Sequence, residues 1–584
     1  MKTTITLNGQ WDFVSDLDPR YHEIHRAYHR PDRDRTHWTK VTVPGCWQKY
    51  AERYDIFEGV CWFAREFKVP AFTKGNRAIL RFGAVNYLCD VYINGNKAGS
   101  HEGGYTEFTV DVSQHLQAET NHIAVKVDNR ATTIKWPTCL GYFNYGGMHR
   151  DVTLEISNGP ALGDIRLTSS RMENGWELHV RGRVLNMETG NLVCVKVGKG
   201  LSWEDWIEGD GMINTSLPFH DTPDWSPENP HLETVRVELL DGCRRVIDSR
   251  EFEYGFREIS VQDRQFHFNG APCPLKGICY VYDSPVHGLV MDSEQLETDL
   301  SLMKEAGCNA VRCHYPMDET FYRLCDRKGM LVWIEPPVYC YHPADDAKDT
   351  SFSDPQWIDL ACQSATQMIQ VARNHACVAI YGIGNECNTK NPEAEGFFRK
   401  LADHTRENDP ARLISYAALY GNVGPLADIV DILGINSYYG WYNIINDGQG
   451  TGLVREIGQN PVPAEPIDLT PMREMLDTVL AEKNDLVLLL TEFGADSTPG
   501  FHSRSRDLWS EEYHADLLSE IFHLAGDYPM IAGTFPFVFC DYRDPSKQLN
   551  AHWNELNLKG MVSYDRRKKK AFETIQQIYT NHKE

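Results

Sequence analysis

No two of the sixteen cysteines in this 584-residue sequence stand in C-x-x-C spacing. They are scattered from Cys46 to Cys540, many inside apolar stretches such as Leu192 to Val197. That pattern excludes a zinc knuckle and reads as reduced, buried thiols instead of a disulfide framework. Long uncharged runs are lacking too: no segment approaches the roughly 18 residues a membrane span needs. The opening M-K-T-T-I-T-L-N-G-Q-W-D-F holds no apolar stretch of signal-peptide length. A soluble, cytoplasmic protein without membrane contact is expected. Positive charge is also short, since 58 Lys and Arg against 82 Asp and Glu leave a formal net charge of −24. This argues against nucleic acid and anionic membranes as partners, yet a local Lys or Arg in a cleft can still hold a small anionic substrate.

What is present is ordinary for a globular protein, with 42% hydrophobic and 24% charged residues. The chain is too long for one core, and about 150 residues per domain suggests three or four units. Fourteen Trp and 27 Tyr supply flat amphipathic rings that suit stacking on sugars as well as filling cores.

From Met1 to about Asn158 apolar residues recur with a period of two. Ile79 to Phe82 and Asp90 to Ile93 read as strands, Asn94-Gly95 as a hairpin turn, and Phe108 to Val112 and His122 to Val127 as further strands. A jelly-roll β-sandwich over residues 1–158 is expected. His22, His25 and His29 could share a helix face, but without acidic partners to orient the rings a solvated or interface face is the better reading than a metal site. After the turn Ser157-Asn158-Gly159-Pro160, the stretches Trp176 to Val180, Val193 to Val197 and Thr234 to Leu239 alternate again. They suggest an immunoglobulin-like β-sandwich over 159–256 with nothing catalytic in it.

From about Glu258 short apolar strands alternate with helical stretches. The candidate strands are Leu275 to Cys279, Ala310 to Cys313, Leu331 to Glu335, Val378 to Asn385, Leu413 to Ala417, Ile432 to Asn436, Leu486 to Thr491 and Ile531 to Phe535. Eight such strands close a (β/α)8 TIM barrel over 257–584. The competing architecture, an open doubly wound sheet, wants a glycine-rich phosphate loop after its first strand, and none is present.

Two of these strands end alike. The uncharged run Val378 to Gly384 meets Asn385-Glu386, and Leu486 to Leu490 meets Thr491-Glu492-Phe493-Gly494. Carboxylates at the carboxyl ends of barrel strands lie where barrel enzymes do their chemistry. Two of them suit glycoside hydrolysis, in which one carboxyl protonates the leaving oxygen and the other attacks or activates water. Either glutamate alone could simply pair with a basic neighbour.

Further motifs accompany the pair: Glu102-Gly103-Gly104-Tyr105, Phe143-Asn144-Tyr145, His149-Arg150, Tyr254-Gly255-Phe256-Arg257, Arg373-Asn374-His375, Asn436-Ser437-Tyr438-Tyr439-Gly440-Trp441-Tyr442 and Trp509-Ser510-Glu511-Glu512-Tyr513. Together they resemble glycoside hydrolase family 2, and within it the β-glucuronidases, over the whole chain. The resemblance implies Glu386 as acid/base and Glu492 as nucleophile of a retaining enzyme, with Asn385 on the sugar 2-hydroxyl. It implies no cofactor or metal, and a homo-oligomer, often a tetramer. The family's mark of uronic acid recognition is N-x-K, matched by Asn557-Leu558-Lys559. A substrate carboxylate desolvated in a cleft needs a compensating cation. Without a uronide, Asn557 and Lys559 would be expected to lack a carboxylate to meet. The resemblance also places Asn436, Tyr438, Tyr442 and His314 at the site. The basic run Arg566 to Lys570 reads as a solvated stretch before the last helix.

Three departures from the family stand out. Gly141 occupies a position where an aspartate commonly accepts from the sugar 4-hydroxyl, Phe537 replaces a usual tryptophan, and Ile278 to Asp283 lacks a basic-acidic cluster. The span from Tyr339 to Gln356 looks short and that from Asn443 to Pro466 long. The expected activity is hydrolysis of small-molecule or oligosaccharide β-uronides, first as a β-glucuronidase. A β-galacturonidase or dual enzyme is the nearest alternative, ahead of a β-galactosidase and of a non-catalytic carbohydrate-binding protein.

Overall fold

Period-two alternation of buried and exposed residues builds the first 157 residues into two main antiparallel sheets, with Val85–Asn86 and Gly147–Met148 pairing as a short third. The computed structural model describes residues 2–581 apart from 17–26, 70–75, 131–135, 138–140, 189, 199–200, 208, 221, 341–350, 443–465, 484 and 548–554. One sheet orders Lys2–Thr6, Val152–Ser157, Arg77–Phe82 and Phe108–Asp111. The other orders Thr39–Val43, Gly9–Asp16, Val60–Val69, Glu119–Asp128, Leu88–Ile93 and Asn96–Glu102. Trp11, Phe63, Leu80, Val91, Val125 and Leu154 fill the space between the faces. The expected hairpin is present: Asn94 and Gly95, at φ of 50° and 83°, turn Leu88–Ile93 into Asn96–Glu102.

The second sandwich pairs a three-stranded sheet (Ala161–Met172, Gly175–Leu185, Met212–Phe219) with a four-stranded one (Leu201–Trp206, Leu192–Val197, Glu233–Leu240, Val246–Tyr254) around Trp176, Val195, Val237 and Phe256. A three-plus-four arrangement suits the immunoglobulin-like expectation.

All the expected barrel strands form and run parallel: Ala310–His314, Leu331–Ile334, Val378–Asn385, Leu413–Leu419, Ile432–Asn436, Leu488–Glu492 and Ile531–Thr534, with the first split into Leu275–Lys276 and Cys279–Val281. The split closes the barrel, because Leu275 pairs with Gly533 of the eighth strand while Cys279 pairs with Arg312 of the second. Gly277 stands at the break, where a Cβ would lie 2.2 Å from the Phe535 ring. Surrounding helices start on side-chain caps: Asp292 accepts from the amides of Glu294 and Gln295, and Asp354, ahead of Pro355, accepts from Gln356. Among the described residues no helix is long and apolar enough to cross a membrane.

Several motifs prove to be joints between these parts. Asn374 donates to Ile165 O and accepts from Leu167 N, both at 2.9 Å, and Arg257 donates to the carbonyls of Ala376 and His375 at 3.1 and 3.2 Å. Arg150 reaches Tyr105 O and Pro316 O, tying the first sandwich to the barrel. The basic run before the last helix is a correction. Lys569 is buried and donates to Ser497 O, Leu558 O and Asp541, while Arg566 pairs with Asp299. These cations pin the Leu558 loop to the barrel, so the stretch is only partly solvated.

Candidate active site

Parallel register around the closed barrel brings the carboxyl ends of the second, fourth, sixth and seventh strands to the same end. Asn436 lies opposite Glu492, and Asn385 opposite Ala417. Arg312, from the second strand, is fully buried and bridges the ends. One guanidinium nitrogen donates to Glu492 Oε1 at 2.9 Å; the other donates to Glu335 at 3.2 and 3.3 Å and to Asn385 Oδ1 at 2.8 Å. Its plane also faces the Trp333 ring at 4.8 Å. Burial alone would depress its ionisation, but Glu335 and Glu492 outweigh that and hold it charged.

Arg312 also fixes two amides. Guanidinium is a donor only, so Asn385 must present its oxygen to Arg312. The same oxygen accepts from Asn436 Nδ2 at 2.9 Å, and the other Nδ2 hydrogen reaches Glu386 Oε1 at 2.7 Å. Thr491 Oγ1 then donates to Asn436 Oδ1 at 2.7 Å. Asn385 Nδ2 is buried and has no hydrogen-bond partner among the described residues, a donor left over at the site.

The two glutamates sit in different surroundings. Both oxygens of Glu492 are held, one by Arg312 and the other by the Tyr438 hydroxyl at 2.7 Å. Among the described residues no cation is in contact with Glu386; burial first and then the charge of Glu492 push its carboxyl up to about 8. Burial and a neighbouring carboxylate together favour the protonated form of Glu386. Glu386 adopts φ of 52°, a left-handed conformation rare for a non-glycine residue and concentrated at functional sites. Its other oxygen meets the Cys340 thiol at 3.6 Å.

His314 is turned toward carboxylates: Nδ1 lies 2.9 Å from Glu335 Oε1 and Nε2 3.7 Å from Glu492 Oε1. Phe537 sits edge-on to His314 and Tyr438, with ring centroids 6.2 and 6.4 Å away. Gly141, at φ of 73°, faces the rim; a Cβ there would lie 3.2 Å from the Tyr339 hydroxyl.

Around Tyr442 the charge arrangement differs from expectation. Lys559 already has a carboxylate: Nζ lies 2.6 Å from Asp496 Oδ2 and 2.7 Å from the Tyr442 hydroxyl. Asp496 also accepts from Trp441 Nε1 and Leu558 N. Its burial favours the neutral acid, but Lys559 and Lys547 hold it well below the usual carboxylate range. So the expectation that Lys559 would lack a counter-charge without a uronide is corrected. A second lysine, Lys547, donates to the same Tyr442 oxygen at 2.6 Å, with its ammonium 4.7 Å from the ring centre. Asn557 donates to the Tyr542 hydroxyl and Asp544 at 3.2 and 3.3 Å and accepts from Lys559 N.

All the candidate residues therefore gather at one end of the barrel or on its rim. Sequence reasoning missed Arg312, Glu335, Cys340, Asp496 and Lys547. Arg312 and Glu335 carried a signal, being charged residues inside uncharged strands. Lys547 and Cys340 carried none. Of the three histidines weighed for a metal, His29 stacks on Tyr92 at 4.9 Å, and His22 and His25 lie outside the described residues. Among the described residues no three His, Cys, Asp or Glu side chains cluster as metal ligands. Much of the two loops noted for length, 341–350 and 443–465, lies outside the described residues.

The TIM barrel domain of glycosyl hydrolases family 2 matches residues 259–583, and that family's sugar binding domain matches residues 5–157. The chain belongs to glycosyl hydrolases family 2. It is a glycoside hydrolase resembling the β-glucuronidases of that family. A β-glucuronidase of Paenibacillus borealis is 26% identical over 613 residues, covering 97% of this chain and 95% of its own. A family 2 β-galacturonidase from Eisenbergiella tayi, solved bound to galacturonate, superposes with a TM-score of 0.83 at 26% identity over 99% of this chain and 97% of that one. The Bifidobacterium dentium β-glucuronidase in complex with coumarin-3-O-glucuronide has a TM-score of 0.86 at 24% identity, covers 99% of this chain and 97% of that one, and shares the fold.

Proposed function

We propose that this family 2 hydrolase is a retaining exo-β-uronidase acting chiefly on β-glucuronides. The observation that carries the reading is the unequal treatment of the two strand-end glutamates: Glu492 is an ion-paired carboxylate held at both oxygens, and Glu386 is a buried acid pushed up to about 8. Glu492 attacks the anomeric carbon as Glu386 protonates the departing oxygen. Water, deprotonated by Glu386, then releases the sugar from Glu492. Asn385 Nδ2, without an acceptor among the described residues, is available to a sugar hydroxyl, and Lys559 and Lys547 both donate to the Tyr442 hydroxyl, with Asp496 and Asp544 beside them. Two cations meeting at this rim support an anionic sugar. The relatives named β-glucuronidase and β-galacturonidase agree in being uronide enzymes.

A second reading, β-galacturonidase or dual activity, draws on Gly141. A buried acceptor aimed at one hydroxyl rejects an epimer because the acceptor is then left unpaired, and glycine removes it. Comparing kcat/KM for 4-nitrophenyl β-glucuronide, β-galacturonide and β-galactoside tests both. The expected order puts the uronides far above the galactoside; a preferred galactoside would overturn the reading. A cytoplasmic homo-oligomer remains part of the proposal, checked by light scattering and cell fractionation.

A further inference from the structure

The thiol against Glu386 lies outside every role assigned above. Cys340 follows the third barrel strand, half-buried, and is tied to the end of the fourth: its amide donates to Asn385 O at 2.9 Å, and Tyr339 bridges to Asn385 beside it. It shares with Glu386 a left-handed backbone, φ of 47° against 52°. Non-glycine residues persist there when surrounding structure over-determines them. Two such residues facing one another point to a built arrangement.

Which oxygen of Glu386 carries the proton follows from the amide chain. Asn436 presents an N–H to Oε1, its orientation fixed through Asn385 by Arg312. An oxygen facing a donor stays an acceptor, so the proton of the acid form rests on Oε2. Cys340 Sγ meets that atom at 3.6 Å. A thiol is both a weak donor and a weak acceptor. It can face a protonated Oε2 through its sulfur lone pairs and an ionised Oε2 through its S–H, by rotation about one bond. Burial first, and then the charge of Glu386, push the thiol well above its ordinary range, so it remains S–H throughout.

We infer that Cys340 is a positioning residue for Glu386, marking Oε2 as the proton-delivering oxygen and turning from acceptor to donor as the proton leaves. In that step the O–H bond of Oε2 breaks, the proton passes to the glycosidic oxygen as its bond to the anomeric carbon opens, and Cys340 keeps its own proton. The inference rests on the reading of Glu386 as acid/base. It also assigns the Cys340 side of Glu386 to the aglycone, because the leaving oxygen must approach Oε2.

Other groups facing Glu386 bear on its pH behaviour. Glu492 raises its affinity for protons, Arg312 lowers it, and the phenols of Tyr339, Tyr416, Tyr420 and Tyr438, all pushed up by burial, stay neutral over the working range. Cys340 is a neutral donor at Oε2, and its thiol also meets Tyr339.

The test compares Cys340→Ala, Cys340→Ser and Glu386→Gln on phenyl and 4-nitrophenyl β-uronides, using whichever epimer the wild type cleaves faster. Phenol is the poorer leaving group and needs the proton more. Cys340→Ala is expected to lose about 3- to 10-fold more kcat/KM on the phenyl than on the nitrophenyl substrate, the worth of one modest hydrogen bond. Its alkaline limb should move to higher pH, because a donor to the ionised form is gone. Cys340→Ser keeps a donor and should restore the limb. Equal losses on both substrates with an unmoved limb would make Cys340 merely structural and overturn the inference, provided Glu386→Gln shows the leaving-group dependence. If Glu386→Gln shows none, the acid/base reading itself fails.

Discussion

Arg312 lies 2.9 Å from Glu492 through one guanidinium nitrogen, and its other nitrogen lies 2.8 Å from Asn385 Oδ1. One side chain thus holds the proposed nucleophile and, through Asn385 and Asn436, orients the proposed acid. A planar five-donor fork can do this and a point charge cannot.

Replacing Arg312 by Lys should therefore leave a folded protein whose kcat/KM falls about 100-fold or more, the cost of small misplacement of reacting groups. Arg312→Met should in addition destabilise the barrel by about 3–5 kcal/mol, since Glu335 and Glu492 lose their buried cation. Calorimetry of the two variants beside their kinetics checks both statements; wild-type turnover in Arg312→Lys would contradict the first.

The alkaline limb of kcat/KM should fall near pH 8, where Glu386 loses its proton. Folding raises this carboxyl above its ordinary 4.5, so the stability it contributes is complete below pH 4.5 and lost as pH rises through about 8. Wild type should lose thermal stability over that window relative to Glu386→Gln. Glu492→Gln removes the neighbouring charge and should narrow the window from above. A wild-type midpoint that rises as steeply as that of Glu386→Gln between pH 5 and 8 would refute the assignment.

For the lysine pair, losing one charge-assisted contact buried with substrate costs on the order of 2–5 kcal/mol, or about 30- to 5,000-fold in kcat/KM. Lys547→Met should show such a loss on the uronide with far less on the matching neutral hexoside. Lys559→Ala should do the same and, because it strands Asp496, also lower the melting temperature. Equal losses on acidic and neutral sugars would make the lysines structural.

Gly141→Asp should shift selectivity toward glucuronide over galacturonide. The new side chain starts 3.2 Å from the Tyr339 hydroxyl, and aspartate tolerates the left-handed backbone better than most residues. A wild-type preference for glucuronide above about 10⁴-fold would instead mean that another group replaces the missing acceptor.

The sandwiches and the barrel were legible because alternation and buried runs are local properties of the chain. Glu386 and Glu492 were legible for the same reason, each ending an uncharged strand. Lys547 was not, because its meeting with Tyr442 joins positions 105 residues apart through a rim loop. Lys559 was identified, but its partner Asp496 lies 63 residues away, and only folding reveals that the charge is already matched. Arg373-Asn374-His375, one of the motifs that carry the family resemblance, is a joint with the second sandwich, because one sequence pattern can serve packing or chemistry. Gly277 marks the split of the first strand through a close approach by Phe535, which no periodicity announces.

The most direct test of a double displacement by Glu492 and Glu386 on a uronide is the anomeric configuration of the first sugar released. Proton NMR during hydrolysis of 4-nitrophenyl β-glucuronide, or of the galacturonide if that is cleaved faster, should show the β-anomer appearing first and the α-anomer only by later mutarotation. Initial release of the α-anomer would contradict the account.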